Sequence, residues 1–266
     1  MAAALTPTRI QSPQNPRLKR VRRLRTRHGR KKEGAFLLEG SRAIRDALTD
    51  APGAVSEVYL PEEALDPELL ELAEAQGVAA FALPAPVFAE LSQLEVPPGA
   101  LAVASARYAE LDALLGEDPG APRAVVACLG VQDPGNLGSI LRSAAFFGFA
   151  GLVLLRGGAD PYHPRLVRAS SGALLRSPPA QVADAAELLT RARARGYTPV
   201  ACVAHGGAEP TSLPARCLLL LGAEGPGVPA ELLGDCLPLT LGGHTESLNV
   251  AAAFAVSAHL WARGSA

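Results

Sequence analysis

Two short apolar runs near the carboxyl end, each followed by glycine-rich sequence, constrain the fold of this chain most strongly. Residues 217–221 and 236–241 are too short for helices and both end at glycine, so they predict buried strands that open into loops. The first loop, 222–227, carries one carboxylate, that of Glu224, and the second, 242–249, leads into an Ala- and Val-rich helix. Ligands of open α/β sheets bind beyond the carboxyl ends of strands, so these loops are the predicted site.

The rest of the chain alternates between strand-like and helix-like segments. Strands are predicted at 36–39, 55–60, 78–82, 101–104, 124–129, 152–155 and 198–203. Helices are predicted from 41 and from 164, and at 67–76, 87–94, 139–147, 185–195 and 248–261. The alternation predicts an α/β fold, and 266 residues suffice for two domains. We expect a first domain at 1–107, a Gly- and Pro-containing linker at 108–122 with one short helical turn, and a second domain at 123–266.

A basic block near the amino end points to a polyanionic partner. Ten of the 25 Lys and Arg residues lie between positions 17 and 32, and no acidic residue lies in this range. Leu18, Val21 and Leu24 recur at helical spacing, so a basic helix is predicted at 17–27, after a loose arm at 1–16. A solvated helix face is the ordinary explanation of such a run. Like charges one turn apart repel, however, and nucleic-acid phosphates would compensate them, so we favour nucleic-acid contact. The predicted contacts are Arg17, Lys19, Arg20, Arg22, Arg23, Arg30, Lys31 and Lys32.

Several other classes of protein are disfavoured by the sequence. Its four cysteines lie in strand-like surroundings without CxxC spacing, which indicates reduced thiols in a cytosolic protein. The five histidines show no metal-ligand spacing, so no metal is expected. A phosphate loop, a dinucleotide fingerprint and a GxSxG elbow are all missing from the sequence. Neither a signal peptide nor a membrane span is predicted, so the expected location is the cytoplasm.

A third loop, at 133–138, follows the strand predicted at 124–129. It leads into the helix predicted from Ser139 and places Arg142 on the first turn of that helix. A cation is unfavourable beside the positive end of a helix dipole, which suggests a paired anion, although Pro-Gly-Asn is also ordinary turn chemistry. Glu224 either caps a helix beginning near Pro229 or belongs to the site. Likewise, Ser247 and Asn249 near the last helix are either an N-cap and a core amide or members of the site. The predicted polar cluster is Asn136, Arg142, Glu224, Ser247 and Asn249.

In order, the three loops resemble the signature motifs of the SpoU (TrmH) family of RNA ribose methyltransferases. The first motif reads DPGNLGSILRSA at 133–144, the second LGAEGPG at 221–227, and the third LPL at 237–239 through ESLNVA at 246–251. The segment 165–172, the basic amino end and the residues EGSR at 39–42 are also similar to that family. LPL replaces the common Ile-Pro-Met, and residues 242–245 are a variable bridge. The resemblance therefore covers nearly the whole chain.

That resemblance implies a fold, a cofactor and an oligomer. It implies a catalytic SPOUT-type α/β domain with a deep trefoil knot, an L30e-like α/β substrate-binding domain, S-adenosylmethionine as methyl donor, and a homodimer that acts on RNA. Residues implied to hold the cofactor are Gly222, Leu237 and Leu248, with Leu221 and Gly227 beside them. The polar cluster is implied to be catalytic or substrate-orienting. Because a guanidinium is practically never neutral, Arg142 is expected to stabilise the developing alkoxide while a substrate phosphate shares the proton.

The predicted function is therefore methylation of a ribose 2′-hydroxyl, on 23S ribosomal RNA, with S-adenosylmethionine as donor and without a membrane partner. Two alternatives stay open: a tRNA ribose methyltransferase of the same family, and a non-catalytic RNA-binding protein on this scaffold. The second alternative requires a broken motif, whereas Arg142, Glu224 and Asn249 are all present. The basic block disfavours an enzyme that acts on small nucleotides.

Overall fold

The computed structural model describes residues 6–244 and 247–264, which separate into two compact units. The first unit comprises Met1–Arg107 and the detached segment Tyr162–Arg168, and the second comprises Tyr108–Pro161 and Ala169–Ala266. Each unit is built around one sheet covered by helices, so the predicted α/β fold class is confirmed. Of the helices described, none has both the length and the apolar character needed to cross a membrane.

The first unit contains a mixed five-stranded sheet in the order β1-β4-β3-β5-β2. Its elements are β1 (Thr8–Arg9), α1 (Pro16–Arg23), α2 (Arg27–Glu33), β2 (Ala35–Glu39), α3 (Ser41–Asp50), β3 (Val55–Pro61), α4 (Pro67–Ala75), β4 (Ala79–Leu83), α5 (Ala85–Leu91) and β5 (Leu101–Ser105). β5 is antiparallel to β2 and β3, whereas β4 is parallel to β1 and β3. The apolar side of α1, Leu18 and Val21, is buried with Tyr59 and Phe81 of this sheet.

The amino-terminal segment is more ordered than predicted. Residues 1–5 lie outside the described chain, but β1 lies alongside β4, with Thr8 opposite Phe81. The prediction of a loose arm up to residue 16 was therefore wrong for the described part. The single basic helix predicted at 17–27 is also two helices, because Thr26 caps α2 by accepting a hydrogen bond from the Gly29 amide at 3.0 Å.

The second unit contains a six-stranded parallel sheet in the order β11-β9-β10-β6-β7-β8. Its elements are α6 (Leu111–Leu115), β6 (Arg123–Leu129), α7 (Pro134–Phe146), β7 (Leu152–Leu155), α8 (Pro164–Ala169, whose first residues belong to the first unit), α9 (Ala173–Arg176), β8 (Ala180–Val182), α10 (Ala185–Arg193), β9 (Thr198–Cys202), β10 (Arg216–Gly222), α11 (Ala230–Leu233), β11 (Leu237–Leu239) and α12 (Val250–Gly264). The central strands β6 and β10 are buried along almost their whole length, as is usual for parallel sheets covered on both faces.

Three elements of the second unit differ from their predictions. Helix α7 begins at Pro134 rather than Ser139, because Asp133 caps it and proline is well suited to the first helical position. Strand β11 has three residues at the sheet edge, and Leu237 is 54% exposed, so the prediction of a longer buried strand at 236–241 was wrong. The short strand β8 was not predicted at all.

The segment 108–122 is packed into the second unit. Leu111, Leu114 and Leu115 of α6 belong to its hydrophobic core. The buried guanidinium of Arg216 donates hydrogen bonds to the Leu115 carbonyl at 2.7 Å and the Ala121 carbonyl at 2.9 Å. The segment is therefore held by both apolar burial and backbone hydrogen bonds.

The four cysteines are free thiols, as predicted, and Cys128 and Cys217 are buried. Burial raises the pKa of both thiols well above the usual range, and it raises the pKa of Cys202 to about 11. These cysteines therefore act as small apolar core residues.

Candidate active site

The site lies where parallel strands of the second unit end. β6 and β10 are neighbours, paired from Arg216 opposite Arg123 to Gly222 opposite Leu129, and β11 lies beyond β9 in the same direction. Because all of these strands are parallel, the segments that follow them leave the same edge of the sheet. The beginning of α7, the loop after β10 and the segment before α12 carry the predicted polar residues to that edge.

Two side-chain hydrogen bonds join three of the five predicted catalytic residues. The Asn136 amide nitrogen Nδ2 donates to Glu224 Oε1 at 2.7 Å. The Asn249 Nδ2 donates to Asn136 Oδ1 at 3.2 Å. The Asn136 amide is thus fixed from both sides, by partners 88 and 113 residues away along the chain. The structure therefore brings one polar residue from each of the three motifs into a single chain of hydrogen bonds.

Helix capping positions two members of this chain. Asp133 Oδ1 accepts from the Asn136 amide N–H at 2.9 Å, which starts α7 and places Asn136 in its first turn. Asn249 Oδ1 accepts from the Ala251 N–H at 2.9 Å at the start of α12. Because its oxygen faces the helix, the nitrogen of Asn249 is left to face Asn136. One side chain therefore ends a loop, caps a helix and orients a second amide.

Glu224 is presented by a tight glycine loop. The Ala223 N–H donates to the Gly227 carbonyl at 3.2 Å and the Gly227 N–H donates to the Ala223 carbonyl at 2.9 Å, which closes the loop around Glu224. Gly227 has φ +73°, a conformation that favours glycine. A side chain at Gly222 would collide with the Gly227 backbone at 1.8 Å. Glu224 does not cap the helix after it, since α11 begins at Ala230 without a side-chain cap.

Arg142 lies in the third turn of α7, not in the first turn as predicted. The argument from the helix dipole was therefore wrong, because α7 begins at Pro134 and the dipole effect is confined to the first turn. Arg142 is exposed and forms no hydrogen bond or ion pair with any residue in 6–244 or 247–264. Six residues separate it from Asn136, which corresponds to about 9 Å along the helix and a rotation of about 240°. The structure therefore does not join Arg142 to the other polar residues.

The remaining predicted site residues are distributed as follows. Ser247 is exposed and has no hydrogen bond with another described residue, and residues 245–246 of the third motif lie outside the described chain. Leu237 and Leu248 are 54% and 51% exposed, so both present apolar surface to the surroundings of the protein. Leu221 is only 1% exposed, so its side chain belongs to the core of the sheet.

A cleft beside this site was not predicted from the sequence. It has a volume of about 250 Å³ and lies at the ends of β6 and β7. Its lining residues are Cys128, Gly130, Val131, Gln132, Leu154, Leu155, Arg156, Gly157, Gly158 and Ala159. The cleft borders the loop of Glu224, because a Cβ at Gly130 would lie 3.2 Å from the Ala223 Cβ. Two consecutive glycines after the strand at 152–155 were the signal that could have indicated it.

The basic block also departs from its prediction. Arg30 is only 5% exposed, and its guanidinium donates to the Leu24 carbonyl at 2.9 Å, so it does not offer a surface contact for RNA as predicted. Arg17, Arg20, Arg22 and Arg23 form ion pairs with carboxylates of the first unit. Lys19, Lys31 and Lys32 are exposed. The block therefore contains both internally paired and unpaired cations.

Comparison with known proteins decides the family. Residues 123–259 match the SpoU rRNA Methylase family, and residues 15–102 match the MRM3-like substrate binding domain. The chain belongs to the SpoU rRNA methylase family. The resemblance noted from the three motifs is thereby confirmed, and the first motif supplies Asn136, the second Glu224 and the third Asn249.

Relatives of this SpoU methylase are similar over nearly their whole length. The 23S rRNA (guanosine(2553)-2'-O)-methyltransferase RlmP of Bacillus subtilis is 30% identical over 252 residues, which cover 93% of this chain and 96% of that protein. The AdoMet-bound rRNA methyltransferase from Sinorhizobium meliloti superposes with a TM-score of 0.81 at 26% identity, covering 97% of both chains. AviRb from Streptomyces viridochromogenes in complex with AdoMet gives a TM-score of 0.80 at 26% identity, covering 94% of this chain and 98% of AviRb.

The residues of this SpoU methylase fit the cofactor of the family, S-adenosylmethionine. An adenosine group needs apolar walls and nearby backbone polar groups; the half-exposed Leu237 and Leu248 would supply the first, and the glycine loop after β10 would supply the second. Gly222 and Gly227 carry no side chains, so the backbone is uncovered at both ends of that loop. Within the described residues, no group of three or more His, Cys, Asp or Glu side chains could hold a metal ion.

Proposed function

We propose that this SpoU methylase transfers a methyl group from S-adenosylmethionine to a ribose 2′-hydroxyl of ribosomal RNA, with 23S rRNA as the first substrate to test. The observation that carries the proposal is the hydrogen-bonded chain Glu224–Asn136–Asn249 at the edge of the parallel sheet. The RlmP relative is named for methylation of a 23S rRNA ribose, and it aligns along nearly the whole of this chain.

The polar chain is suited to orienting a ribose. Asn136 donates a hydrogen bond to Oε1 of Glu224. Because Glu224 is exposed, its other carboxylate oxygen can accept a hydrogen bond from a substrate hydroxyl. The two asparagines fix the direction of that carboxylate. Holding the 2′-oxygen in line with the reacting carbon contributes by positioning, which in well-oriented reactions lowers the barrier by several kcal/mol.

S-adenosylmethionine supplies an electrophilic methyl group when it is bound. The 2′-oxygen would take that methyl group as the carbon–sulfur bond of the sulfonium breaks, the neutral thioether would leave, and the hydroxyl proton would pass to a phosphate oxygen of the RNA. Arg142 carries a permanent positive charge, so its role is to stabilise the negative charge that develops on the 2′-oxygen rather than to accept the proton. This proposal requires the guanidinium of Arg142 to reach a site formed by the three other residues.

We propose that Arg142 reaches that site in a homodimer, from the second copy of the chain. Arg142 and Phe146 are one helical turn apart and therefore share one face of α7. Phe146 is 82% exposed, and Val256 on α12, which packs against α7, is 44% exposed. Exposed apolar side chains on these two packed helices, one of them a turn from Arg142, favour an interface between two copies that presents the arginine to the partner.

Mixing two inactive variants tests this arrangement. Arg142→Ala is expected to lose methylation by orders of magnitude, and Asn249→Ala is expected to lose it about 10- to 100-fold. If the arginine acts on the site of the other copy, co-refolded mixtures regain about a quarter of wild-type activity, because half the dimers are mixed and each contains one intact site. If both residues act within one chain, the mixture stays inactive. A mixture of Arg142→Ala with itself is the control.

The proposed division of labour assigns RNA binding to the domain at 1–107 and catalysis to the domain at 123–266. The match of residues 15–102 to a substrate binding domain supports the first assignment. The trefoil knot characteristic of SPOUT methyltransferases is proposed for the second domain, and the cytoplasm, where ribosomal RNA is accessible, for the location.

Methyl incorporation is the decisive assay for the function. Purified protein with radiolabelled S-adenosylmethionine is incubated separately with 23S rRNA, 16S rRNA and bulk tRNA, and blocked 2′-hydroxyls are mapped by resistance to alkaline cleavage. Methylation of 23S rRNA that is lost in Arg142→Ala is the expected result. Methylation of tRNA alone would favour the tRNA enzyme, and RNA binding without incorporation into any RNA would favour a non-catalytic binding protein.

A further inference from the structure

The arginines of α1 are used to hold the first unit together. Arg17 donates to Glu57 Oε1 at 3.0 Å, and Arg20 donates to the same oxygen at 3.2 Å and to Glu33 at 3.0 Å. Arg22 forms two hydrogen bonds with the Glu90 carboxylate, both at 3.0 Å. These contacts fasten α1 to β3, α2 and α5. The positive charge of α1 is therefore largely compensated by carboxylates of the same unit.

Burial makes one of these contacts difficult to exchange for an RNA phosphate. Glu57 is only 8% exposed and also accepts a hydrogen bond from the Tyr59 hydroxyl at 2.5 Å. A buried carboxylate that loses its cations is strongly destabilising, so Arg17 and Arg20 are not free to leave it. At the surface, hydrogen bonding from Arg20 holds the pKa of Glu33 below its usual value, and Arg22 does the same for Glu90, as expected for ion pairs.

Helix α2 carries cations of a different kind. Lys31 and Lys32 are exposed and form no ion pair with any residue in the described parts of the chain. The single carboxylate of α2, Glu33, is already engaged by Arg20 and Arg23. This seven-residue helix therefore presents two adjacent lysines, and its one acidic residue is already paired with arginines of α1.

We propose that Lys31 and Lys32 of α2 form the face of the first unit that binds RNA phosphates, whereas Arg17, Arg20 and Arg22 of α1 maintain its fold. The inference rests on the proposed function only in taking RNA as the polyanion. Lysine side chains are flexible point charges that can follow a phosphate backbone of variable geometry. Each neutralised phosphate releases counterions, so the contribution of this face is measurable as salt dependence.

Two double variants that remove equal charge test the proposal. Lys31→Gln with Lys32→Gln alters the α2 face, and Arg22→Gln with Arg25→Gln alters α1, where Arg22 pairs with Glu90 and Arg25 donates to the Glu90 carbonyl at 3.2 Å. Dissociation constants for a labelled 23S rRNA fragment are measured from about 50 to 200 mM salt, alongside thermal melts. We expect the lysine variant to weaken binding about tenfold to fiftyfold near 0.1 M salt, and to reduce the logarithmic salt slope by about 1.8.

The control variant is expected to melt at lower temperature with an unchanged salt slope. The inference is overturned if the lysine variant keeps the wild-type slope, or if the arginine variant loses as much slope as the lysine variant. The lysine variant should melt at the wild-type temperature, which excludes a folding defect of the first unit, and it should bind S-adenosylmethionine as the wild type does. If the wild type binds RNA with this pattern but methylates none, the proposed function fails while the assignment of the α2 face stands.

Discussion

Replacing Asn249 by aspartate separates the two tasks that this side chain performs. Its oxygen Oδ1 caps α12 by accepting from the Ala251 N–H at 2.9 Å, and its nitrogen Nδ2 donates to Asn136 at 3.2 Å. Aspartate keeps a capping oxygen in the same place and loses the donor. Alanine loses both groups. The pair of variants therefore distinguishes a residue that only starts a helix from one that also orients the site.

The expected changes in stability follow from the cap. Asn and Asp are about equally good caps, and a negative charge at a helix start is favourable, so Asn249→Asp should leave the melting temperature unchanged or slightly raised. Asn249→Ala should cost about 1 kcal/mol, which corresponds to about 2–4 °C for a protein of this size. Methylation should fall about 10- to 100-fold in both variants, because Asn136 loses one of its two anchors and Glu224 loses its orientation.

Thermal melts measure the change in stability. Single-turnover methylation at saturating RNA and S-adenosylmethionine measures the change in catalytic rate separately. The decisive observation is an aspartate variant that is fully folded yet slow. If Asn249→Asp methylates RNA at the wild-type rate, the hydrogen bond to Asn136 has no role in catalysis. If activity falls only in proportion to the melting temperature across both variants, Asn249 acts through the helix alone, and the positioning argument is wrong.

Three further predictions concern the loop, the segment 108–122 and the thiols. Gly222→Ala should destabilise the protein by about 1–3 kcal/mol and weaken binding of S-adenosylmethionine measured by calorimetry, because its Cβ meets the Gly227 backbone at 1.8 Å; unchanged affinity would exclude that loop from the cofactor site. Arg216→Ala should lower the free energy of unfolding by about 3 kcal/mol and expose residues 108–122 to limited proteolysis. The control Arg191→Ala, which removes an exposed ion pair, should lower it by less than about 1 kcal/mol, and equal melting temperatures of the two variants would contradict the role of Arg216. Alkylation of the native thiols at pH 8 should be far slower than after unfolding, since a thiol of pKa about 11, as for Cys202, is ionised in only about one molecule in a thousand. Rapid labelling of Cys202 would contradict its raised pKa.

The strands were the most predictable part of the fold. Buried parallel strands are nearly continuous apolar runs, so β6 and β10 could be located within one residue or two from sequence. The start of α7 was also encoded, since Asp133 followed by Pro134 is a cap and first-position pair. It was missed because Pro-Gly-Asn was interpreted as a turn. Strand β8 has three residues, too few for a periodic pattern to appear.

The candidate site was predictable as a set of residues but not as a geometry. Parallel strands bring their following segments to one edge, which is sufficient to predict that Asn136, Glu224 and Asn249 approach one another. The separation of Arg142 from these residues depends on its angular position around α7. Moreover, α7 begins five residues earlier than predicted, which removes Arg142 from the first turn and reverses the conclusion drawn from the helix dipole. A boundary error that is harmless for the fold is therefore decisive for a residue whose role depends on direction.

The basic block illustrates a limit that no local pattern can overcome. Repulsion between neighbouring arginines suggested an external polyanion, yet the compensating carboxylates Glu57 and Glu90 lie 40 and 68 residues along the chain from Arg17 and Arg22. Charge compensation in a folded unit is a property of tertiary contacts, so an acid-free segment can be neutral in its surroundings. The meaningful quantity for an RNA-binding surface is the charge left after internal pairing. In the first unit that criterion favours the exposed lysines, including Lys31 and Lys32 of α2, over the paired arginines of α1, which is why the salt slope of two lysine substitutions carries more information than removal of the whole block.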